Sequence, residues 1–309
     1  MSPNDTSTSA PSPSSVSPLD RALVFYGDYS PTSADVYVWV PDLRHEDGWS
    51  MAIAVRGPQC SLGRTLPATV HGADMGPGEG LLARVVLPDP CYWSSQMPAL
   101  YQVNIELHQH GDDVDAVQRV FGMRMLNPRG KSLHLDESRW VPRGVQRQVA
   151  EPADLAAWRE ASAVMLVREP DDALCEAASH QGVAIISLLE GDSEHVQREL
   201  ARVARYAAVF MAVIAGTDLD GAPLRQSAPN LLLAPLLDAG QSAEIPSWAR
   251  AAVVQVQDPA TFGASVERIP VPVFAYRPLA APTPLEAARR ECDNLQRDLA
   301  PGDYAGYLV

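Results

Sequence analysis

The chain has 309 residues, 46% hydrophobic and 20% charged, a composition typical of a soluble globular protein that is long enough for two domains. Its formal net charge of −14 argues against nucleic acid or an anionic membrane as a partner, because both favour basic surfaces. Lys131 is the only lysine, which argues against Schiff-base chemistry. The four cysteines lack CxxC spacing and are expected to be small buried side chains.

Residues 1–20 are rich in Ser, Pro and Thr and lack the apolar segment of a secretory signal. We expect a disordered tail and a cytoplasmic protein. No stretch of the chain approaches the length and hydrophobicity of a membrane span.

Residues 21–127 contain short β-type runs separated by Pro, Gly and Asp turns. Six or seven strands are predicted, at ALVFYG, ADVYVWVP, WSMAIAVRG, GLLARVVLP, ALYQVNIELH and VQRVFGMRM. Short strands with frequent turns are typical of a β-sandwich.

Residues 128–309 alternate strand-like and helix-like segments. Eight strands are expected, at WVPRGVQ, AVMLVRE, VAIISLLEG, VFMAVIAG, NLLLAPLLDAG, AAVVQVQDP, PVFAYRP and YAGYLV. This alternation favours a parallel (β/α)₈ barrel, closed by the last strand beside the first, over an open doubly wound sheet. About 180 residues is short for a fold that typically takes roughly 250, so the loops that build active sites should be reduced.

Several segments resemble family 2 glycoside hydrolases, the β-galactosidase and β-glucuronidase group. CYWSSQMPALYQVNIEL (91–107) and RVFGMRML (119–126) are similar to late strands of that family's immunoglobulin-like domain. GKSLHLDESRWVPRGVQRQ (130–148) resembles its linker and first barrel strand, with Arg143, Gly144, Val145 and Arg147 matching. DYAGYLV resembles the start of its eighth strand.

The resemblance implies an immunoglobulin-like β-sandwich (21–127) followed by a short (β/α)₈ TIM barrel (128–309). The family's N-terminal sugar-binding jelly roll has no counterpart in this sequence. Within residues 91–107, Trp93, Pro98, Leu100 and Tyr101 are expected in the sandwich, with at least one aromatic ring buried.

The resemblance also identifies the catalytic positions. The family retains anomeric configuration and uses two carboxyl groups about 5 Å apart, one as acid/base and one as nucleophile. RYAAVFMAVIAGTD (205–218) places Asp218 at the acid/base position and Thr217 where the family has a sugar-binding Asn. Because Asp is one methylene shorter than Glu, Asp218 is expected to be inactive.

The nucleophile position on the seventh strand aligns with Arg277, and a shift of one residue would place Tyr276 there. A guanidinium stays protonated and cannot attack an anomeric carbon. Opposite charges at the two catalytic positions predict an ion pair or water bridge between Asp218 and Arg277. The sequence also ends before the tryptophan that commonly floors the family's sugar site.

Polar residues end most of the predicted barrel strands. They form either a remodelled pocket or a solvated rim of paired charges. Arg147, Arg168, Thr217 and Tyr276 are the candidate ligand-binding residues, and Glu190 with Asp218 is the best remaining carboxylate pair. His108 and His110 lack a third ligand, so neither a metal nor a cofactor is expected.

The sequence therefore predicts a degenerate family 2-like protein, more a pseudoenzyme than a glycosidase, that binds a carbohydrate-derived ligand or a protein partner. The alternative is an active O-glycosyl hydrolase that uses Glu190 and Asp218. The sequence does not specify the oligomeric state.

Overall fold

Two four-stranded antiparallel sheets form the N-terminal part of the computed structural model, which describes residues 17–147, 154–216, 219–238 and 245–309. The strands are β1 (Leu23–Ser30), β2 (Ser33–Pro41), β3 (Trp49–Gln59), β4 (Ala68–His71), β5 (Ala73–Asp74), β6 (Gly80–Pro88), β7 (Leu100–Gln109) and β8 (Asp112–Phe121). One sheet has the order β1–β2–β6–β5 and the other β4–β3–β7–β8. Short 3₁₀ helices lie at Pro18–Arg21 and His45–Asp47.

The sandwich core follows from the alternation of apolar side chains along the strands. Val36, Val38 and Val40 of β2 are fully buried, and so are Val103 and Ile105 of β7. Successive strand residues point to opposite faces, so each sheet presents one apolar face to the other. The expected immunoglobulin-like sandwich is confirmed, with the short edge strands β4 and β5 added to the predicted set.

A small antiparallel sheet that the sequence did not predict follows the sandwich. It has the order β11–β10–β9, built from β9 (Leu126–Arg129), β10 (Ser132–Leu135) and β11 (Ser138–Arg139). The strands are only two to four residues long, too short for alternation of apolar residues to be recognised.

Eight parallel strands then close into a barrel, as predicted. The strands are β12 (Arg143–Arg147), β13 (Val164–Arg168), β14 (Ile185–Glu190), β15 (Val209–Ala215), β16 (Leu232–Asp238), β17 (Ala252–Gln255), β18 (Val273–Tyr276) and β19 (Gly306–Leu308). β19 pairs with β12, with Arg143 opposite Tyr307 and Gly144 opposite Leu308. This pairing closes the barrel and excludes the open-sheet alternative.

Six helices accompany the barrel strands within the described residues. They are α1 (Leu155–Glu160), α2 (Asp172–Gln181), α3 (Ser193–Val203), α4 (Gly221–Ser227), α5 (Pro259–Val266) and α6 (Leu285–Asp298). Side chains of Asp171 and Asp192 accept hydrogen bonds from backbone N–H groups in the first turns of α2 and α3, which fixes where these helices begin. No helix of the described ranges is long and apolar enough to cross a membrane.

Trp93 lies between the sandwich and the barrel, in a segment without regular structure. Its ring is 2% exposed and packs in the barrel's hydrophobic cluster, and its Nε1 donates to the carbonyl oxygen of Ser179 in α2 at 2.8 Å. Leu100 belongs to the same cluster, whereas Tyr101 belongs to the sandwich core. Leu100 and Tyr101 lie in the sandwich strand β7, and Trp93 and Tyr101 are both buried, as expected. The side chains of Trp93 and Leu100 nevertheless pack with the barrel, across the domain junction.

The junction also depends on a glycine. Gly182 ends α2 with φ +73°, and a Cβ there would lie 2.6 Å from the carbonyl oxygen of Ser95, a sandwich residue. Both the left-handed conformation and the backbone contact require a residue without a side chain.

We expect Gly182→Ala to lower the free energy of unfolding by about 2 kcal/mol or more, because it adds a clash to the left-handed backbone strain. Gly130→Ala is the matched control, since Gly130 has φ +59° and a Cβ added there would have nothing within 4 Å. Its cost should be about 1 kcal/mol, from backbone strain alone. Urea unfolding measures both, and equal losses would contradict the proposed contact with Ser95.

Candidate functional site at the barrel mouth

The pairing of neighbouring strands determines which side chains enter the barrel. A Cβ on Gly144 would lie 2.5 Å from Cδ2 of Leu308 and 3.8 Å from Cδ1 of Ile186, so this position faces the interior. Residues paired across parallel strands point the same way, and alternate residues along a strand point inward. We call this alternation the inward parity. The strand register preserves it around the barrel, so the pairings that start at Gly144 identify the inward-facing residues of every strand and end at Leu308.

The same parity identifies the side chains at the carboxyl ends of the strands, which we call the mouth. The inward-facing polar residues there are Gln146, Arg168, Glu190, Asp238, Gln255 and Tyr276. The layer directly beneath is mainly apolar and consists of Leu166, Leu188, Val213, Leu236, Val253 and Phe274. The mouth is therefore a polar ring on a filled barrel core.

The side chains of the ring bond to one another. The hydroxyl of Tyr276 donates to Oε1 of Gln146 at 2.6 Å, and Tyr276 is 8% exposed. Burial raises the pKa of Tyr276, against a smaller opposing effect of the Arg168 charge. Arg168 forms an ion pair with Glu190, so the carboxylate that the sequence favoured for catalysis already has a cationic partner.

A second charged group lies beside the mouth. Nε2 of His195, in α3, lies 2.8 Å from Oε1 of Glu169, and Nη2 of Arg198 lies 3.1 Å from Nδ1 of the same histidine. These side chains are on the rim, where about a third of His195 and Glu169 is exposed. The result matches the solvated rim of paired charges considered from the sequence.

Two candidate residues point away from the mouth. Arg147 follows the inward-facing Gln146, and its guanidinium lies 5.6 Å from the ring centre of Trp158 and donates to the carbonyl oxygen of Thr283 at 2.9 Å. Arg277 follows the inward-facing Tyr276 and donates from Nη1 to Asp298, the last residue of α6, at 2.7 Å. The position that faces the mouth on the seventh strand is thus Tyr276, the one-residue alternative, instead of Arg277.

Thr217 and Asp218 lie outside the described residues. The carboxylate pair of Glu190 with Asp218 and the ion pair of Asp218 with Arg277 therefore remain predictions. In the described part of the chain, Glu190 pairs with Arg168 and Arg277 with Asp298. Over these same residues, no three His, Cys, Asp or Glu side chains are grouped closely enough to hold a metal ion.

Comparisons with known proteins agree with this architecture. Residues 23–124 match the family model "Glycosyl hydrolases family 2". These residues form a family 2 glycosyl hydrolase domain. A comparison with curated proteins gives no sequence match.

Solved structures share the fold of most of this chain. β-Glucuronidase from Bacteroides uniformis is 12% identical over 93% of this chain and 45% of its own, with a TM-score of 0.61. A glycosyl hydrolase family 2 member from Bacteroides cellulosilyticus is 13% identical over 93% of this chain and 43% of its own, with a TM-score of 0.66. β-D-Glucuronidase from Dictyoglomus thermophilum is 14% identical over 93% of this chain and 61% of its own, with a TM-score of 0.63.

The family 2 domain and barrel together span about half the length of such proteins. Identities of 12–14% establish a shared fold, so the residues of this chain must support any functional conclusion.

Sequence reasoning did not select two residues of the ring, Gln146 and Gln255. Counting every second residue along each strand would have found them, once the inward parity was known. That parity comes from barrel closure, and the sequence alone does not reveal it.

We expect Tyr276→Phe to lower the free energy of unfolding by about 1 kcal/mol, because it leaves Oε1 of Gln146 without its donor. A double-mutant cycle with Gln146→Leu measures the coupling, and strictly additive losses would contradict the contact.

The same variant has a defined pH dependence. The folded pKa of Tyr276 lies above that of an unfolded tyrosine. The folded state therefore binds more protons above about pH 10, and the stability contributed by Tyr276 falls as pH rises through that range. Tyr276→Phe should make the loss of stability above about pH 10 less steep, which urea unfolding across a pH series measures.

Proposed function

We propose that this chain is a family 2-like protein that binds a carbohydrate-derived ligand at the barrel mouth and does not hydrolyse glycosides. One observation carries the proposal: the mouth-facing residue at the end of the seventh strand is Tyr276, and its hydroxyl is bonded to the side-chain amide of Gln146. A retaining glycosidase of this family needs a carboxylate nucleophile.

Tyr276 is also unsuited to act as a nucleophile in its place. A phenol attacks efficiently only when a neighbouring base removes its proton. Here the hydroxyl donates a hydrogen bond to an amide oxygen, which is not a base, and burial raises the pKa of the phenol. Tyr276 thus remains a neutral hydrogen-bonding group at physiological pH.

The ring retains the groups that bind sugars. Gln146 and Gln255 each carry an amide donor and acceptor, and Asp238 carries a carboxylate exposed to solvent. Two of the three structures described above are β-glucuronidases, so a uronic acid is the first ligand class to test. Its carboxylate would displace that of Glu190 from Arg168.

The second candidate function is hydrolysis by Glu190 and Asp218. In its favour, Glu190 faces the mouth and ends the strand next to the one that leads to Asp218. Against it, the carboxylate of Glu190 is ion-paired with Arg168. Hydrolysis would require this pair to separate so that Glu190 could reach a substrate.

We expect no turnover of 4-nitrophenyl β-D-glucuronide or β-D-galactoside above the uncatalysed rate, measured by release of nitrophenol. D-Glucuronate should raise the melting temperature of the protein, and Arg168→Gln and Gln146→Ala should each abolish the shift because they remove groups of the ring. Glu160→Gln is the matched control, since Glu160 is an exposed residue at the end of α1.

Turnover that Asp218→Asn or Glu190→Gln abolishes, and that Glu160→Gln leaves intact, would overturn the proposal in favour of the active hydrolase. Absence of both turnover and sugar binding would reject the carbohydrate ligand and favour a protein partner.

A further inference from the structure

A cavity of about 430 Å³ lies at the opposite, N-terminal face of the barrel, where it meets the sandwich. Tyr26 and Tyr29 of β1 form one wall, and residues at the starts of β16 and β17 form the other. Asn230 joins the walls: its Oδ1 accepts from the backbone N–H of Tyr26 at 2.9 Å, and its Nδ2 donates to the carbonyl oxygen of Tyr26 at 2.7 Å. The cavity is therefore preformed by the contact between the two domains.

The charge of the cavity is opposite to that of the chain. Among the residues that the structure describes, its lining includes Arg225 and Arg250 and no Asp or Glu, although the chain carries a net charge of −14. Among the described residues, neither arginine forms a salt bridge, and Nη1 of Arg225 donates one hydrogen bond, to the carbonyl oxygen of Ser247 at 3.3 Å. An exposed cationic pair facing a cavity is suited to an anion.

A further side chain of the lining has a donor available. Oδ1 of Asn127 accepts from the hydroxyl of Tyr29 at 2.8 Å, which leaves its amide nitrogen to donate. The lining thus offers donors from Arg225, Arg250 and Asn127, which favours a ligand rich in acceptor oxygens, such as a carboxylate or a phosphate.

The remaining lining is apolar or aromatic. It consists of Leu126, Pro128, Ala228, Pro229, Leu231, Leu232 and Leu233, beside the rings of Tyr26, Tyr29 and Trp248. Walls of this kind contact a ring or short hydrocarbon, and the volume lies within the range of about 300–1,000 Å³ common for small-molecule sites.

We propose that this cavity binds a small anionic ligand consisting of a carboxylate or phosphate attached to a hydrophobic ring. Arg225 and Arg250 hold the anion, the amide nitrogen of Asn127 donates to it, and the tyrosine and leucine side chains contact the ring. The site is distinct from the barrel mouth and does not depend on the function proposed there.

Isothermal titration calorimetry of the full chain with phenyl phosphate and benzoate tests the proposal. Inorganic phosphate supplies an anion without a ring, and benzyl alcohol supplies a ring without a charge. We expect at least one of the anionic ring compounds to bind at least about tenfold more tightly than inorganic phosphate and benzyl alcohol. A preference for benzoate or for phenyl phosphate identifies the anion.

Variants locate the site. Arg225→Gln and Arg250→Gln should each weaken binding about tenfold, the loss expected for one charge-assisted hydrogen bond. Arg290→Gln is the matched control, because Arg290 is an exposed residue of α6 that does not line the cavity.

Absence of binding by both anionic ring compounds at millimolar concentration would overturn the proposal. So would binding that Arg225→Gln and Arg250→Gln leave unchanged, or that Arg290→Gln weakens equally, since the interaction would then reflect general charge. Melting temperatures of the variants show whether each remains folded.

Discussion

The placement of the sandwich against the barrel depends on the interactions of one buried side chain, the guanidinium of Arg124. Arg124 follows the last sandwich strand and is 5% exposed, and its Nη2 donates to the carbonyl oxygen of Val209, the first residue of β15. The guanidinium carbon lies 5.5 Å from the ring centre of Trp93. Burial lowers the pKa of Arg124 to about 10, which still leaves it charged at neutral pH. A buried charge is tolerated only with partners, so carbonyl and ring must stay in place.

This junction divides the barrel into two faces with different roles. The sandwich covers part of the N-terminal face, where Trp93 bonds to α2 and Asn230 bonds to β1. The C-terminal face, which in this fold carries catalytic groups, remains available at the mouth. The donor-rich cavity belongs to the covered face, so it depends on the domain contact and not on the loops that vary between barrel enzymes.

At the mouth, the likeness to an enzyme family and the chemistry of the residues diverge. Fold similarity extends over 93% of the chain, yet a fold does not carry a reaction without its reactive groups. Glu190 is ion-paired with Arg168, and the hydroxyl of Tyr276 donates a hydrogen bond to Gln146. Each of these polar groups is bonded to a neighbour, which supports the binding role proposed for the mouth.

The order of residues along the chain is enough to identify the two domain types, because hydrophobic periodicity is a local property: all eight barrel strands and the main sandwich strands could be recognised from it. Hydrophobic periodicity did not predict β9, β10 and β11, because these strands are too short to show a regular alternation of apolar residues. Which side chains meet was decided by the packing of distant segments. Barrel closure turns Tyr276 inward and Arg277 toward Asp298, and the domain contact places Trp93 with the barrel. Successive residues of a strand point to opposite faces. Only packing against distant residues determines which of the two faces is the interior.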